Sequence, residues 1–292
     1  MKEANFWLSY QDLHDKNPKS DSEAKVNFYN QNSEFIIRSS KNPNPELAVI
    51  IPAYNESALI ARTLASINHS IKLQDNVNVF IVDNASTDDT SEIAQTFGAR
   101  VIKESKKGIG QARQTGLEAI PSSVKYVLTT DADTVVPLNW FQEHQKSLEN
   151  KNTVYTYGEV NFISDKTLLF ADKILLFEYT KIANFLHTIK NKFGIVIGGG
   201  SNSGYKKDIA LYCGGYNRNL ERGEDTELMT KISIHGDVIK IDSSVMTSAR
   251  RIINEGIVCH GIERLKDNLL HCIGIKKIYS EEYKDYRESD NI

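Results

Sequence analysis

From Leu47 onward, short apolar runs alternate with apolar positions at helical spacing. Leu47-Ala48-Val49-Ile50-Ile51-Pro52 reads as a buried strand, and Ile60, Leu64, Ile67 and Ile71 then fall on one face of a helix. Val77 to Val82 predicts a second strand, after which Ser86 and Asp89 resemble a capping box opening a helix with Ile93 and Phe97 turned inward. Ala99 to Lys103 predicts a third strand. Lys106-Lys107-Gly108-Ile109-Gly110 then leads into a helix whose Ala112, Gly116 and Ala119 permit close packing on a sheet. Tyr126 to Thr130 predicts a fourth strand, running straight into Asp131-Ala132-Asp133. Strands alternating with helices imply right-handed crossovers and a parallel sheet, so residues 46–135 read as a Rossmann-like nucleotide-binding half.

Past this point the pattern loosens. Pro137 can open a helix carrying Trp140, Phe141 and Leu148, Thr153 to Val160 alternates like a strand, and Val238 to Ile241 is a further strand. Residues 136–260 therefore read as the second half of an α/β domain spanning 46–260. Leu168 to Ile189 is apolar at mixed helical spacing, which suits core or subunit contact first and membrane-surface contact second. Residues 1–45 lack a sustained period and read as an extension, and residues 261–292 read as a helical tail.

Composition narrows the class. With 292 residues, 40% of them hydrophobic and 25% charged, the chain can build one large domain or two small ones. A net charge of −3 and a pI near 6.2 give no footprint for nucleic acid, so DNA or RNA is not an expected partner. Cys213, Cys259 and Cys272 are too scattered for a zinc site or a disulfide framework and read as reduced thiols. With neither a secretory leader nor a spanning run in view, the expectation is a cytoplasmic protein, soluble or peripheral at the inner membrane face.

The acids carry the chemistry. Asp83, Asp131 and Asp133 fall at or just beyond strand ends, where open α/β sheets bind ligands. Two hard oxygen donors one residue apart, Asp131 and Asp133, suit Mg²⁺ or Mn²⁺ bridging a diphosphate. A single such aspartate would more simply cap the following turn, whereas three after strands of one sheet favour a site. Gly198 to Lys206 is neither a Walker A loop, since Tyr205 stands where Lys is needed, nor a dinucleotide fingerprint, since Ser203 breaks the glycine spacing. Glu224-Asp225 opens a helix and reads equally as N-terminal charge pairing or as a general base for an acceptor hydroxyl. Arg250-Arg251 could grip phosphate. His235 or His260 could complete a metal shell, although a structural role suits each better.

Taken in order, Ile50-Ile51-Pro52-Ala53-Tyr54-Asn55-Glu56, Val82-Asp83-Asn84-Ala85-Ser86-Thr87-Asp88, Lys107-Gly108 with Arg113, Asp131-Ala132-Asp133 and Gly223-Glu224-Asp225 resemble the family 2 glycosyltransferases of GT-A fold. The match runs from about Ala48 to Arg251 in the family's order. The resemblance implies that Pro52, Ala53, Tyr54, Glu56, Lys107, Arg113 and Ala132 line the nucleotide-sugar pocket and that Asp83 reads the base. It implies that Asp131 contacts ribose or metal-bound water while Asp133 ligates Mn²⁺ or Mg²⁺. Asp225 is then the catalytic base, with Glu224 as fallback. Gly199, Gly200, Ser201, Asn202, Arg250 and Arg251 lie on the sugar and acceptor side.

The implied reaction moves one sugar, with inversion, from a UDP- or GDP-sugar to a saccharide or lipid-linked acceptor. Processive members carry a Gln-x-x-Arg-Trp element; Arg250-Arg251-Ile252 lacks the Trp, which points to single transfer. A nucleotidyltransferase and a non-catalytic nucleotide-sugar binder are the rival readings. The first is disfavoured by Pro52-Ala53-Tyr54-Asn55 where a glycine-rich basic loop would stand.

Overall fold

The computed structural model of the protein describes residues 43–71, 76–164, 169–192 and 199–262. Most of the N-terminal extension, Gly198, Cys272 and nearly all of the C-terminal tail lie outside the described residues.

Four strands build the first half: β1 (Leu47–Ala53), β2 (Val77–Asp83), β3 (Arg100–Lys103) and β4 (Tyr126–Thr129). They alternate with α1 (Ile60–Ile71), α2 (Thr90–Thr96) and α3 (Ile109–Ala119). All their pairings are parallel, with β1 between β2 and β4. β1 is apolar throughout because both its faces are covered. Leu47, Val49, Ile51 and Ala53 pack on the α1 and α2 side, and Ala48 and Ile50 on the α3 side. The helical face read from the sequence is buried in full, with Ile60, Leu64 and Ile67 at 0% exposure. Gly116 lets α3 lie against β1 and β2: a Cβ there would sit 2.6 Å from Ile50 Cγ2 and 2.9 Å from Val82 Cγ2.

The capping box does not form. Asp89 is the N-cap of α2 without a side-chain cap bond, and the Ser86 hydroxyl accepts from the Asn55 N–H at 3.0 Å. Ser86 ties two loops together instead of starting a helix.

The second half adds β5 (Thr134–Val135), α4 (Trp140–Leu148), β6 (Thr153–Ile163), α5 (Phe170–Lys192), β7 (Ser203–Lys206), α6 (Lys207–Tyr212), α7 (Glu224–Ser233), β8 (Asp237–Ser248) and α8 (Arg250–Glu255). Its strands continue the same sheet, in the order β3-β2-β1-β4-β7-β6-β8-β5. The uniformly parallel pattern ends here: β7 runs antiparallel to both β4 and β6, β5 is antiparallel to β8, and β6 pairs parallel with β8. The β4–β7 ladder, in which Thr129 faces Ser203, and the short β5–β8 pairing, in which Thr134 faces Thr247, join residues 46–135 to the rest. Beyond the sheet, Leu176 of α5 packs on Ala249 and Ile252, with Phe162 and Tyr179 beside them.

Candidate active site

The site forms at the carboxyl ends of β1, β2 and β4, where the sheet stops and side chains of the connecting loops converge. β1 runs into Tyr54, Asn55 and Glu56. Asn55 adopts a left-handed φ of 51°, a conformation Asn tolerates better than most residues. Its Oδ1 accepts from the Thr87 N–H at 2.8 Å, which fastens the first loop to the second.

Asp83 at the end of β2 is 1% exposed. It accepts from the Ser86 N–H at 2.9 Å, from the Lys103 ammonium at 2.5 Å and from the Ser91 hydroxyl. Burial alone would raise its carboxyl; these donors outweigh that and hold it below the ordinary range. Asn84 shapes the next turn, donating to the Lys106 carbonyl at 2.7 Å and accepting from the Gly108 N–H at 2.8 Å. Lys107 Nζ then reaches Tyr54, donating to its hydroxyl at 2.6 Å and lying 4.3 Å from the ring centroid.

Arg113, buried in α3, is the hub. Its Nε donates to Glu224 at 3.0 Å, its Nη2 to Asp131 at 2.9 Å and its Nη1 to the Thr129 hydroxyl. One guanidinium thus joins the acidic strand end of β4 to the first turn of α7. Asp131 also accepts from the Ser201 hydroxyl. Desolvation raises the Asp131 carboxyl; Arg113 opposes the rise and Asp133 adds to it. Glu224, 5% exposed, is pushed up to about 7, first by burial and then by the neighbouring Asp225, with Arg113 offsetting only part.

Asp225 is placed differently from Glu224. Its Oδ2 accepts the Gly200 N–H at 2.6 Å and its Oδ1 accepts from the Thr226 N–H at 2.7 Å. Gly200 is required by space: a Cβ would lie 2.4 Å from Arg113 Nη2 and 3.3 Å from Asp225 Oδ2. The loop bearing Gly200 and Ser201 is anchored by Asn202, which is fully buried. Asn202 Oδ1 accepts from Trp140 Nε1 at 2.9 Å and lies 3.1 Å from His144 Nε2. Its Nδ2 donates to the Glu159 and Ser243 carbonyls at 2.9 and 3.0 Å. Burial holds His144 neutral, depressed to about 4.

Asp133 faces a second cation. Arg250 Nη2 donates to it at 3.1 Å and to both oxygens of buried Glu56 at 2.7 and 3.0 Å, while the Thr247 hydroxyl donates to Asp133 at 3.1 Å. Arg251 parts from its neighbour and pairs with Glu255 at 2.9 Å, because adjacent residues on a helix do not share a face.

Most residues singled out from the sequence thus converge. The exceptions have local causes. The side chains of Ala53 and Ala132 sit in the core, and Ala132 contributes a carbonyl that accepts from Thr63 at 2.8 Å. His260 Nδ1 lies 2.5 Å from Glu255, and His235 packs edge-on against Tyr212, so neither joins the aspartates. Thr129, Thr247, Asn84, Trp140 and His144 were not read as site residues. Each looks like an ordinary strand, turn or core position, and only the fold reveals its partner.

Among the described residues no group of three or more His, Cys, Asp or Glu is arranged to hold a metal ion. Asp131 and Asp133 are engaged by Arg113 and Arg250, so Mg²⁺ or Mn²⁺ arriving with a diphosphate would have to share them with those cations. These metals are held by one or two carboxylates plus phosphate oxygens and water, and Asp133 with Asp131 supplies such a pair.

The sequence profile of the glycosyl transferase family 2 matches residues 48–212. The dolichyl-phosphate hexose transferase of Haloferax volcanii is 35% identical over 95 residues, 32% of this chain and 40% of that protein. The chain spans two fifths or less of the curated relatives it matches. Among solved structures, a mannosyltransferase from Pyrobaculum calidifontis in complex with GDP-mannose and Mn²⁺ superposes with a TM-score of 0.55 at 20% identity, covering 89% of this chain and 75% of that one. S. aureus TarS 1-349 in complex with UDP-GlcNAc gives 0.51 at 15% identity, covering 70% and 58%. These likenesses establish the GT-A fold, and with the profile matching over half its length, the chain belongs to glycosyl transferase family 2.

Proposed function

We propose that the protein transfers one sugar from a nucleoside-diphosphate sugar to an acceptor hydroxyl, with inversion and with help from a divalent cation. The observation that carries this reading is the placement of Asp225. It stands at the N-terminus of α7, tied through Gly200 to the loop whose Ser201 touches Asp131. On this reading the base and the donor-side acids are joined by two neighbouring residues of one loop, Gly200 and Ser201. Glu224 is the less available base, because it is buried and its Oε1 already accepts from Arg113 Nε at 3.0 Å.

In the proposed step, Asp225 accepts the proton as the acceptor oxygen bonds to the anomeric carbon. The bond from that carbon to the diphosphate oxygen breaks, and the nucleoside diphosphate leaves with the electron pair. One base suffices, since a diphosphate departs without being protonated. Asp133, supported by Asp131, would hold the Mn²⁺ or Mg²⁺, which neutralises charge on the leaving diphosphate when bound. Asp83, Tyr54 and Lys107 would border the base and ribose side, and Arg250, which holds Asp133 at 3.1 Å, would meet the diphosphate. The relative named as a dolichyl-phosphate hexose transferase and the neighbours holding GDP-mannose or UDP-GlcNAc support a UDP- or GDP-sugar donor and a lipid-linked or saccharide acceptor.

A thermal-shift screen of UDP-, GDP- and dTDP-sugars, with and without Mn²⁺, tests the reading. A Mn²⁺-enhanced shift with one donor, followed by release of the matching diphosphate on adding acceptor, is expected. Pyrophosphate release would identify a nucleotidyltransferase, and a donor shift without turnover on any acceptor would identify a binder.

A further inference from the structure

Most of the large apolar side chains left exposed among the described residues gather in one place, on α5 with its lead-in and on the helical stretch 257–262. Leu169 is 76% exposed, Phe177 58% and Phe185 63%, with Ile174 beside them; Val258 and Ile262 are 60% and 65% exposed. The two helices adjoin, since Tyr179 of α5 meets His260 edge-on at 5.7 Å. α5 is therefore apolar on two sides. Leu176 and Thr180 face the protein, and the opposite surface is covered by nothing among the described residues. An apolar surface of this extent marks a contact with something else.

We propose that α5 and the 257–262 helix form a membrane-surface contact that lays the protein on an anionic bilayer. Charge favours a bilayer over a second protein. In a chain of net −3, the sequence of α5 holds Lys173, Lys181, Lys190 and Lys192 against Asp172 and Glu178, a formal +2. Lysines are depleted from protein interfaces but common beside membrane-inserted side chains, where their stems lie along apolar surface and their heads stay in water. Lys181 lies along this face, its ammonium 4.2 Å from the Phe177 ring centroid and 3.6 Å from Glu178 Oε1. No helix among the described residues is long and apolar enough to cross a membrane, so the contact is one of lying on the surface. The position also suits the site: α8 sends Arg250 to Asp133 and packs Ile252 against Leu176 of α5. An anchored α5 would keep the cleft beside the lipid surface.

The test is co-sedimentation of the full chain with vesicles of phosphatidylcholine alone and of phosphatidylcholine with phosphatidylglycerol, without any sugar donor. Wild type should sediment with the anionic vesicles, less so at high salt. Phe177→Asp with Phe185→Asp, its fold checked by circular dichroism, should weaken partitioning about tenfold or more. Failure of wild type to bind, or undiminished binding by the double variant, overturns the proposal. So does a dimer in light scattering that the double variant dissolves, which would assign this face to a second copy. The measurement involves no transfer, so its failure leaves the proposed reaction standing, and an inactive protein could still pass it.

Discussion

Arg113 Nε donates to Glu224 Oε1 at 3.0 Å between two buried side chains, exposed by only 2% and 7%. A buried pair of this kind is costly to break on one side, because the survivor is left charged and unsolvated. Arg113→Met should destabilise the fold by roughly 3–5 kcal/mol. Arg113→Lys should be milder in stability but still lose activity, since an ammonium cannot serve Thr129, Asp131 and Glu224 together. Urea denaturation and transfer rates measured side by side would show this separation.

The same pair sets a pH dependence. Glu224 rises from an ordinary 4.5 to about 7 in the folded protein. Between those values the folded state holds a proton that the unfolded chain has released, so stability falls as pH rises through the window. Glu224→Gln removes that titration. Relative to wild type it should gain stability from the lower end of the window to the upper, by an amount on the order of a few kcal/mol. A constant difference between the two proteins across the window would contradict the assignment.

Asp225→Asn can keep the Gly200 bond through its amide oxygen, giving up the bond from the Thr226 N–H, while removing the proton acceptor. Donor binding should persist while turnover falls by roughly 10²-fold or more. Wild-type turnover in this variant would move the base elsewhere in the cleft.

Gly200→Ala is expected to act on the same bond by crowding. Its Cβ would have to displace Arg113 Nη2 from 2.4 Å. Overpacking of this kind costs about 1–3 kcal/mol, and it should shift the loop away from Asp225. The variant should lose turnover more than donor affinity, which a kcat and KM comparison would reveal.

Asp133→Ala should leave donor affinity the same with and without Mn²⁺, whereas wild type should bind more tightly with the cation. Calorimetry in the presence of Mn²⁺ or a chelator distinguishes the two outcomes. Unchanged Mn²⁺ enhancement in the variant would exclude Asp133 as a ligand.

The first half was legible because burial on both faces leaves a plain signature. β1 and β2 are apolar along nearly their whole length, and α1 keeps its inward face at regular spacing. The strand-end acids followed from the same logic. The second half was less legible, because β7 is only four residues long and centred on Gly204, so its antiparallel insertion beside β4 left no pattern to read. The charged residues that the fold gathers at the strand ends stood out in the sequence; their partners through one hydroxyl or amide, such as Thr247 and Asn84, did not. Ser86 shows the opposite error, where a local motif was outbid by a contact 31 residues away. Arg251 was grouped with Arg250 on sequence adjacency, which helical geometry undoes.

The pairing of Thr129 with Ser203 has one more consequence. The strand that ends in the acids and the strand that follows the glycine loop are neighbours in one ladder, so among the described residues backbone hydrogen bonds tie the acids to the start of β7, and the two cannot part without breaking them.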